Sequence, residues 1–105
     1  MVKSKQSGRK RVFAVAGGLT IYTVGELKGQ LLDKLVNARS PCALDLSEVN
    51  EFDAAGLQLL LALRAQLAAA GKDWSVVEAS GCVREALQLC CVDLPWAASA
   101  TGEAA

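Results

Sequence analysis

Hydrophobic positions along the chain switch repeatedly between a two-residue period and a three-to-four-residue period, which predicts strands alternating with helices. The segment RVFAVAGGLTIYTV, residues 11–24, is typical of two short strands joined by a hairpin turn at residues 17–18. A helix is predicted to follow, because Thr23 and Glu26 have the spacing of a capping box. Leucines then recur at every fourth position and give this helix a buried stripe that ends near Asn37.

The central stretch EFDAAGLQLLL, residues 51–61, has the features of a helix start. Asp53 is suited to be the N-cap, because its carboxylate can accept hydrogen bonds from the free amides that follow it. Phe52 and Leu57 have the spacing of a hydrophobic staple around that cap. The helix follows a short predicted strand, CALDLSEV, and is expected to run to about Ala70, with Gly71 as its C′ residue.

The last part of the chain predicts one more strand, WSVVEA, and a final helix that Ser80 caps and that runs to about Val92. The residues expected to face inward on this helix are Val83, Leu87 and one of Cys90 and Cys91. The complete order is therefore β-β-α-β-α-β-α. Alternation of this kind indicates the α/β class, here a four-stranded mixed sheet with helices packed on one side.

Charge is unevenly distributed, although the 105-residue chain has a formal net charge of zero. Five of the eleven basic residues precede the first acidic residue, so residues 1–10 are predicted to be a basic flexible arm. The remainder carries six basic and eleven acidic residues, a net charge of −5, which argues against nucleic acid as a partner. Residues 11–96 are predicted to form a single domain and residues 97–105 a loose tail.

The residue types present restrict the chemistry that the chain can perform. There is no histidine, so catalysis by Ser-His or Cys-His pairs is excluded. The four cysteines form no CxxC pair, and we interpret them as small buried hydrophobic residues with no metal bound. No phosphate-binding glycine loop occurs, and no apolar run approaches the roughly 18 residues needed to cross a membrane. A cytoplasmic protein without cofactor or enzymatic activity is expected.

The helix that begins near Asp53 carries leucines over about 200° of its circumference, whereas a helix docked on one sheet needs a stripe of roughly 100°. Two interpretations remain open. Neighbouring helices could bury the additional leucines. Alternatively, one flank could bind a protein partner, whose helix could approach closely because the flanking side chains are small; these residues are Ala55, Gln58, Ala62 and Ala65.

The stretch DLSEVNEFDAAGLQLLLAL resembles the core of a STAS domain, the fold shared by anti-sigma-factor antagonists and the cytoplasmic tails of sulphate transporters. LTIYTVGELK resembles the entry to the first helix in small bacterial members, and EASGCVREALQL resembles their last strand and helix. The resemblance covers about residues 10–95. Its strongest signature is the D-L-S-x-V strand followed by D-x-x-G-L at the helix start.

The resemblance implies a signalling adaptor that binds an anti-sigma factor, a GHKL-type kinase, or a chemotaxis or two-component regulator. In the family, a partner kinase phosphorylates a serine or threonine just before the glycine, and that position here is Ala55, or Ala54 in some relatives' spacing. The usual switch is therefore absent. Partner contacts are expected at the start of the helix, on Asp53, Ala54, Ala55, Gly56 and Gln58.

The alternative implied by the same resemblance is a small cytoplasmic STAS subunit of an ABC-type lipid transport complex. Neither function requires the chain to insert into the membrane. A monomer is expected, with a dimer through Trp74, Trp96 and the wide leucine face as the other arrangement.

Overall fold

The computed structural model describes residues 2–7, 10–38 and 41–96, and this part of the chain contains four strands and three helices. Their order is the predicted β-β-α-β-α-β-α. The elements are β1 Val2–Ser7, β2 Lys10–Leu19, α1 Val24–Asn37, β3 Cys42–Phe52, α2 Ala54–Ala69, β4 Trp74–Ala79 and α3 Gly81–Leu89.

The strands form one mixed sheet in the order β1-β2-β3-β4. β1 and β2 are antiparallel, whereas β2 pairs with β3 and β3 with β4 in parallel. Parallel neighbours need a crossover, and α1 and α2 supply the two crossovers. Both crossovers step in the same direction along the sheet, so the usual right-handed connection places both helices on the same face.

The first strand is not where the sequence pattern placed it. β1 occupies the segment expected to be a flexible basic arm, and it pairs with β2 from Val2↔Val15 to Ser7↔Lys10. Most β1 side chains are polar, so the strand has no hydrophobic pattern that the sequence could reveal. Backbone hydrogen bonds to β2 hold it in the sheet. The expected hairpin turn at residues 17–18 is likewise wrong, because both glycines lie within β2 at a register shift against β3. The predicted tail, residues 97–105, lies outside the described residues.

The core is one hydrophobic cluster beneath the three helices. α1 contributes Leu27, Leu31 and Leu35, and α3 contributes Val83 and Leu87, as predicted. Four leucines of α2 are buried in the cluster, and the other two, Leu57 and Leu61, are partly buried. The wide leucine face of α2 is therefore covered mainly by the domain itself, which is the first of the two interpretations considered above.

The ends of α2 and α3 share one backbone arrangement. After α2, Gly71 adopts a φ of 68°, and the amide of Lys72 donates to the Leu67 carbonyl at 3.0 Å, as in a Schellman motif. After α3, Cys91 takes the equivalent position with a φ of 54°. The helix thus ends at Leu89, before the predicted Val92.

This early end also corrects the predicted environment of the cysteines. Cys90 and Cys91 lie beyond the last buried turn of α3 and are exposed to solvent, so the prediction that one of them faces inward is wrong. Cys82 is exposed as well, and only Cys42 is a buried hydrophobic residue as expected. Burial raises the pKa of the Cys42 thiol above its ordinary value.

The segment after α3 runs along the outer edge of β4. Leu94 is buried, and the Val76 amide donates to the Pro95 carbonyl at 2.8 Å. The ring of Trp96 lies 5.2 Å from the Arg84 guanidinium carbon. Trp96, considered above for a dimer contact, therefore packs within its own chain and covers an edge that would otherwise present unpaired backbone groups.

Candidate functional site

The site is built around Asp53, which joins the end of β3 to the start of α2. As predicted, Asp53 is the N-cap: its Oδ1 accepts from the amides of Ala55 at 2.9 Å and Gly56 at 3.2 Å. Its second oxygen, Oδ2, accepts from the amide of Ile21 at 3.1 Å, in the loop between β2 and α1. One carboxylate therefore caps α2 and also fixes the neighbouring loop.

These hydrogen bonds determine the charge state of Asp53. The Ile21 amide is the largest influence, and together with the amides of Gly56 and Ala55 it holds the pKa of the carboxyl below its ordinary value. Partial desolvation acts in the opposite direction and is outweighed. The side chain is consequently an ionised structural group at neutral pH, and three amides already occupy its oxygens.

Gly56 allows the start of α2 to lie directly against β2. A Cβ at this position would clash with the carbonyl oxygen of Leu19 and would lie 3.0 Å from both Leu19 Cβ and Phe52 Cδ1. The Leu19 carbonyl is itself fixed, because it accepts from the amide of Asp53 at 3.3 Å. The D-x-x-G spacing thus combines a helix cap with the close approach of two backbones.

The loop that precedes α1 is held by Thr23. Its hydroxyl donates to the Gly18 carbonyl at 2.8 Å and accepts from the Thr20 amide at 3.0 Å. It makes no capping hydrogen bond to α1, so the predicted capping box is wrong in detail although the helix begins where expected. The loop points two apolar side chains outward: Ile21 is 66% exposed and Tyr22 is 93% exposed.

An open groove of about 590 Å³ lies between the first turns of α1 and α2. We call it the α1–α2 groove. Its lining is mostly apolar or small and consists of Ile21, Val24, Gly25, Lys28, Ala54, Ala55, Gln58, Leu59 and Ala62.

The predicted site residues divide into two groups around this groove. Ala54, Ala55 and Gln58 line it directly, whereas Asp53 and Gly56 shape it through the cap and the close backbone contact. The lining is completed by Ile21, Val24, Gly25 and Lys28, which belong to α1 and the loop before it and which no sequence pattern indicated as site residues. The only signal for Ile21 was an apolar residue inside a threonine-flanked turn.

Residues 2–7, 10–38 and 41–96 contain no group of three or more Cys, Asp or Glu side chains that could hold a metal ion. Across the same residues, no helix has both the length and the apolar character to span a membrane. Ser47, the hydroxyl residue of the D-L-S strand, is exposed on β3 and does not line the α1–α2 groove.

A family profile described as "Mlab, STAS domain" matches residues 2–93. The chain therefore belongs to the STAS-domain family, and the resemblance drawn from the sequence is confirmed. No curated protein matches the chain significantly.

Solved structures of anti-sigma-factor antagonists share the fold. One from Mycobacterium paratuberculosis is 22% identical, with a TM-score of 0.71, and the match covers 87% of this chain and 77% of that one. SpoIIAA in its unphosphorylated form is 17% identical with a TM-score of 0.66, over 88% of this chain and 82% of that one. Phosphorylated Bacillus SpoIIAA is 16% identical with a TM-score of 0.62, over 86% and 83% of the respective chains.

Proposed function

We propose that the chain is a protein-binding adaptor that docks a partner in the α1–α2 groove, at the start of α2. The observation that carries this proposal is the groove itself, whose mostly apolar lining includes the exposed side chain of Ile21, next in the chain to the exposed Tyr22. Apolar surface of this kind at the mouth of a groove is typical of interaction sites. The partner is an anti-sigma factor, a GHKL-type kinase or a related signalling regulator, by analogy with the anti-sigma-factor antagonists that share the fold.

The adaptor binds without the phosphorylation switch of its relatives. SpoIIAA is known in a phosphorylated form. In this chain the two candidate positions are Ala54 and Ala55, both on the groove lining and both without a hydroxyl. A phosphate there would add about two negative charges to a mostly apolar docking surface. With alanine at both positions, the surface stays competent to bind at all times.

The hydrogen bonding of Asp53, which caps α2 beside the groove, also agrees with a binding role. Asp53 accepts three backbone hydrogen bonds and has a lowered pKa, so it is poorly suited to take up a proton as a general base. Together with the lack of histidine in the sequence, this supports an adaptor without enzymatic activity.

A second candidate function is the STAS subunit of an ABC-type lipid transport complex in the cytoplasm. The observation that favours it is the family match, whose description names the MlaB STAS domain and not an anti-sigma-factor antagonist. In this case the partner docked in the α1–α2 groove would be the ATPase subunit of the transporter.

The decisive experiment compares Ala55→Asp with Ala68→Asp as baits for quantitative affinity capture from the native host. Both variants add one carboxylate to α2, but Ala68 is exposed near the opposite end of the helix and outside the groove lining. We expect Ala55→Asp to reduce recovery of the partner at least about tenfold, because the partner would bury an unpaired charge, and Ala68→Asp to recover it normally.

The identity of the partner separates the two functions, since a kinase or anti-sigma factor supports the first and a transport ATPase the second. Equal recovery by both variants would show that binding uses another surface.

A further inference from the structure

The shape of the α1–α2 groove favours a helix as its occupant. The groove lies between two helices, and its lining residues belong to α1, α2 and the loop before α1, not to a strand whose backbone groups could pair with an extended peptide. Its lining includes four residues with no side chain or a single methyl group, which lets the backbone of a docked helix approach closely; they are Gly25, Ala54, Ala55 and Ala62. Tyr22, which follows the groove residue Ile21 in the chain, is 93% exposed and offers further apolar contact to a partner larger than the cavity.

The charge of the groove restricts the partner further. Among the described residues of the lining, Lys28 is the only ionisable one and Gln58 is the only other polar side chain. Within residues 2–7, 10–38 and 41–96, no carboxylate lies within ion-pair distance of the Lys28 ammonium. A partner that covers the groove without a compensating charge would bury this ammonium at a large desolvation cost. An acidic side chain on the partner removes that cost and fixes the direction of binding.

We infer that the occupant of the α1–α2 groove is an amphipathic helix of the partner protein, with small or apolar residues along one stripe and a carboxylate opposite Lys28. This inference rests on the proposed function and adds the chemistry of the bound segment. The partner helix contacts Ala54 and Ala55 through its apolar stripe, and its Asp or Glu forms an ion pair with Lys28 at one side of the groove.

The occupant is identified by photo-crosslinking in the native host. Benzoylphenylalanine in place of Tyr22 probes the surface next to the groove residue Ile21, and the same residue in place of Glu85, exposed on α3, is the control. We expect Tyr22-dependent crosslinks to a partner segment with helical periodicity and an acidic residue, identified by mass spectrometry. A crosslink to a partner protein does not by itself support the inference. The crosslinked segment must also have helical periodicity and contain an acidic residue.

The ion pair is then tested with the crosslinked segment as a synthetic fluorescent peptide. We expect Lys28→Glu to weaken binding at least about tenfold, since it places like charges together. Replacing the peptide's acidic residue with lysine should restore binding to the Lys28→Glu protein. Lys28→Met, which keeps the apolar stem of the side chain, should weaken binding less than Lys28→Glu.

Three results would overturn the inference: a crosslink to a second copy of the chain, a crosslinked segment without a carboxylate, or unchanged affinity of the Lys28→Glu protein. If Ala55→Asp still abolishes partner binding in any of these cases, the proposed function stands and only the chemistry of the occupant is wrong. If neither substitution changes binding and no crosslink depends on Tyr22, the proposed function is wrong as well.

Discussion

Replacing Gly56 by alanine tests whether close backbone approach shapes the site. Gly56 lies in the first turn of α2, and an added methyl group would clash with the Leu19 carbonyl. That oxygen cannot easily move, because it accepts the Asp53 amide at 3.3 Å. The start of α2 must therefore shift away from β2, which disturbs the cap and the α1–α2 groove together.

The expected loss of stability follows from two opposing terms. Forcing an additional methyl group into a packed region costs about 1–3 kcal/mol, and the fixed backbone oxygen places Gly56 at the upper end of that range. Alanine returns up to about 1 kcal/mol through its better helix propensity. We therefore expect Gly56→Ala to lower the free energy of unfolding by about 2 kcal/mol, which corresponds to a fall in Tm of roughly 8–16 °C for a domain of this size.

Urea and thermal unfolding, followed by circular dichroism, measure this change. The matched control is Gly29→Ala in α1, where an added Cβ would have no neighbour within 4 Å. Because only helix propensity changes there, Gly29→Ala should raise the free energy of unfolding by up to about 1 kcal/mol. A Gly56→Ala protein as stable as wild type would refute the reasoning, since the clash would then be relieved without cost.

Two further predictions concern ionisable groups. The folded-state pKa of Asp53 is lowered, so its contribution to stability is complete above the ordinary pKa of an aspartate, about 4, and is lost as the pH falls through the lowered value. Urea unfolding from pH 7 to pH 3 should therefore show Asp53→Asn least stable relative to wild type at neutral pH. A stability difference that did not narrow on acidification would contradict the lowered pKa of Asp53. Maleimide labelling of the native protein should modify Cys82, Cys90 and Cys91 quickly and Cys42 only after unfolding, because Cys42 is buried and its pKa is raised. Rapid labelling of all four thiols would show that the core around Cys42 opens readily.

Features with a local signal were predictable from the sequence. The cap at Asp53, the C′ glycine at Gly71 and the order of the elements from α1 onward all depend on residues within a few positions of one another. β1 was missed because backbone pairing holds it and its side chains carry no hydrophobic pattern. The exposure of Cys90 and Cys91 depended on α3 ending at Leu89, and helix boundaries are set only weakly by sequence.

The sequence by itself determined which segments form strands and helices in the greater part of the domain, and that the start of α2 carries two alanines, Ala54 and Ala55. Only the tertiary structure decided what lies opposite those alanines. Ile21 and Lys28 reach the groove because Asp53 binds the loop before α1 and Gly56 lets α2 rest on Leu19. Such contacts join residues far apart in the chain, and no local pattern encodes them.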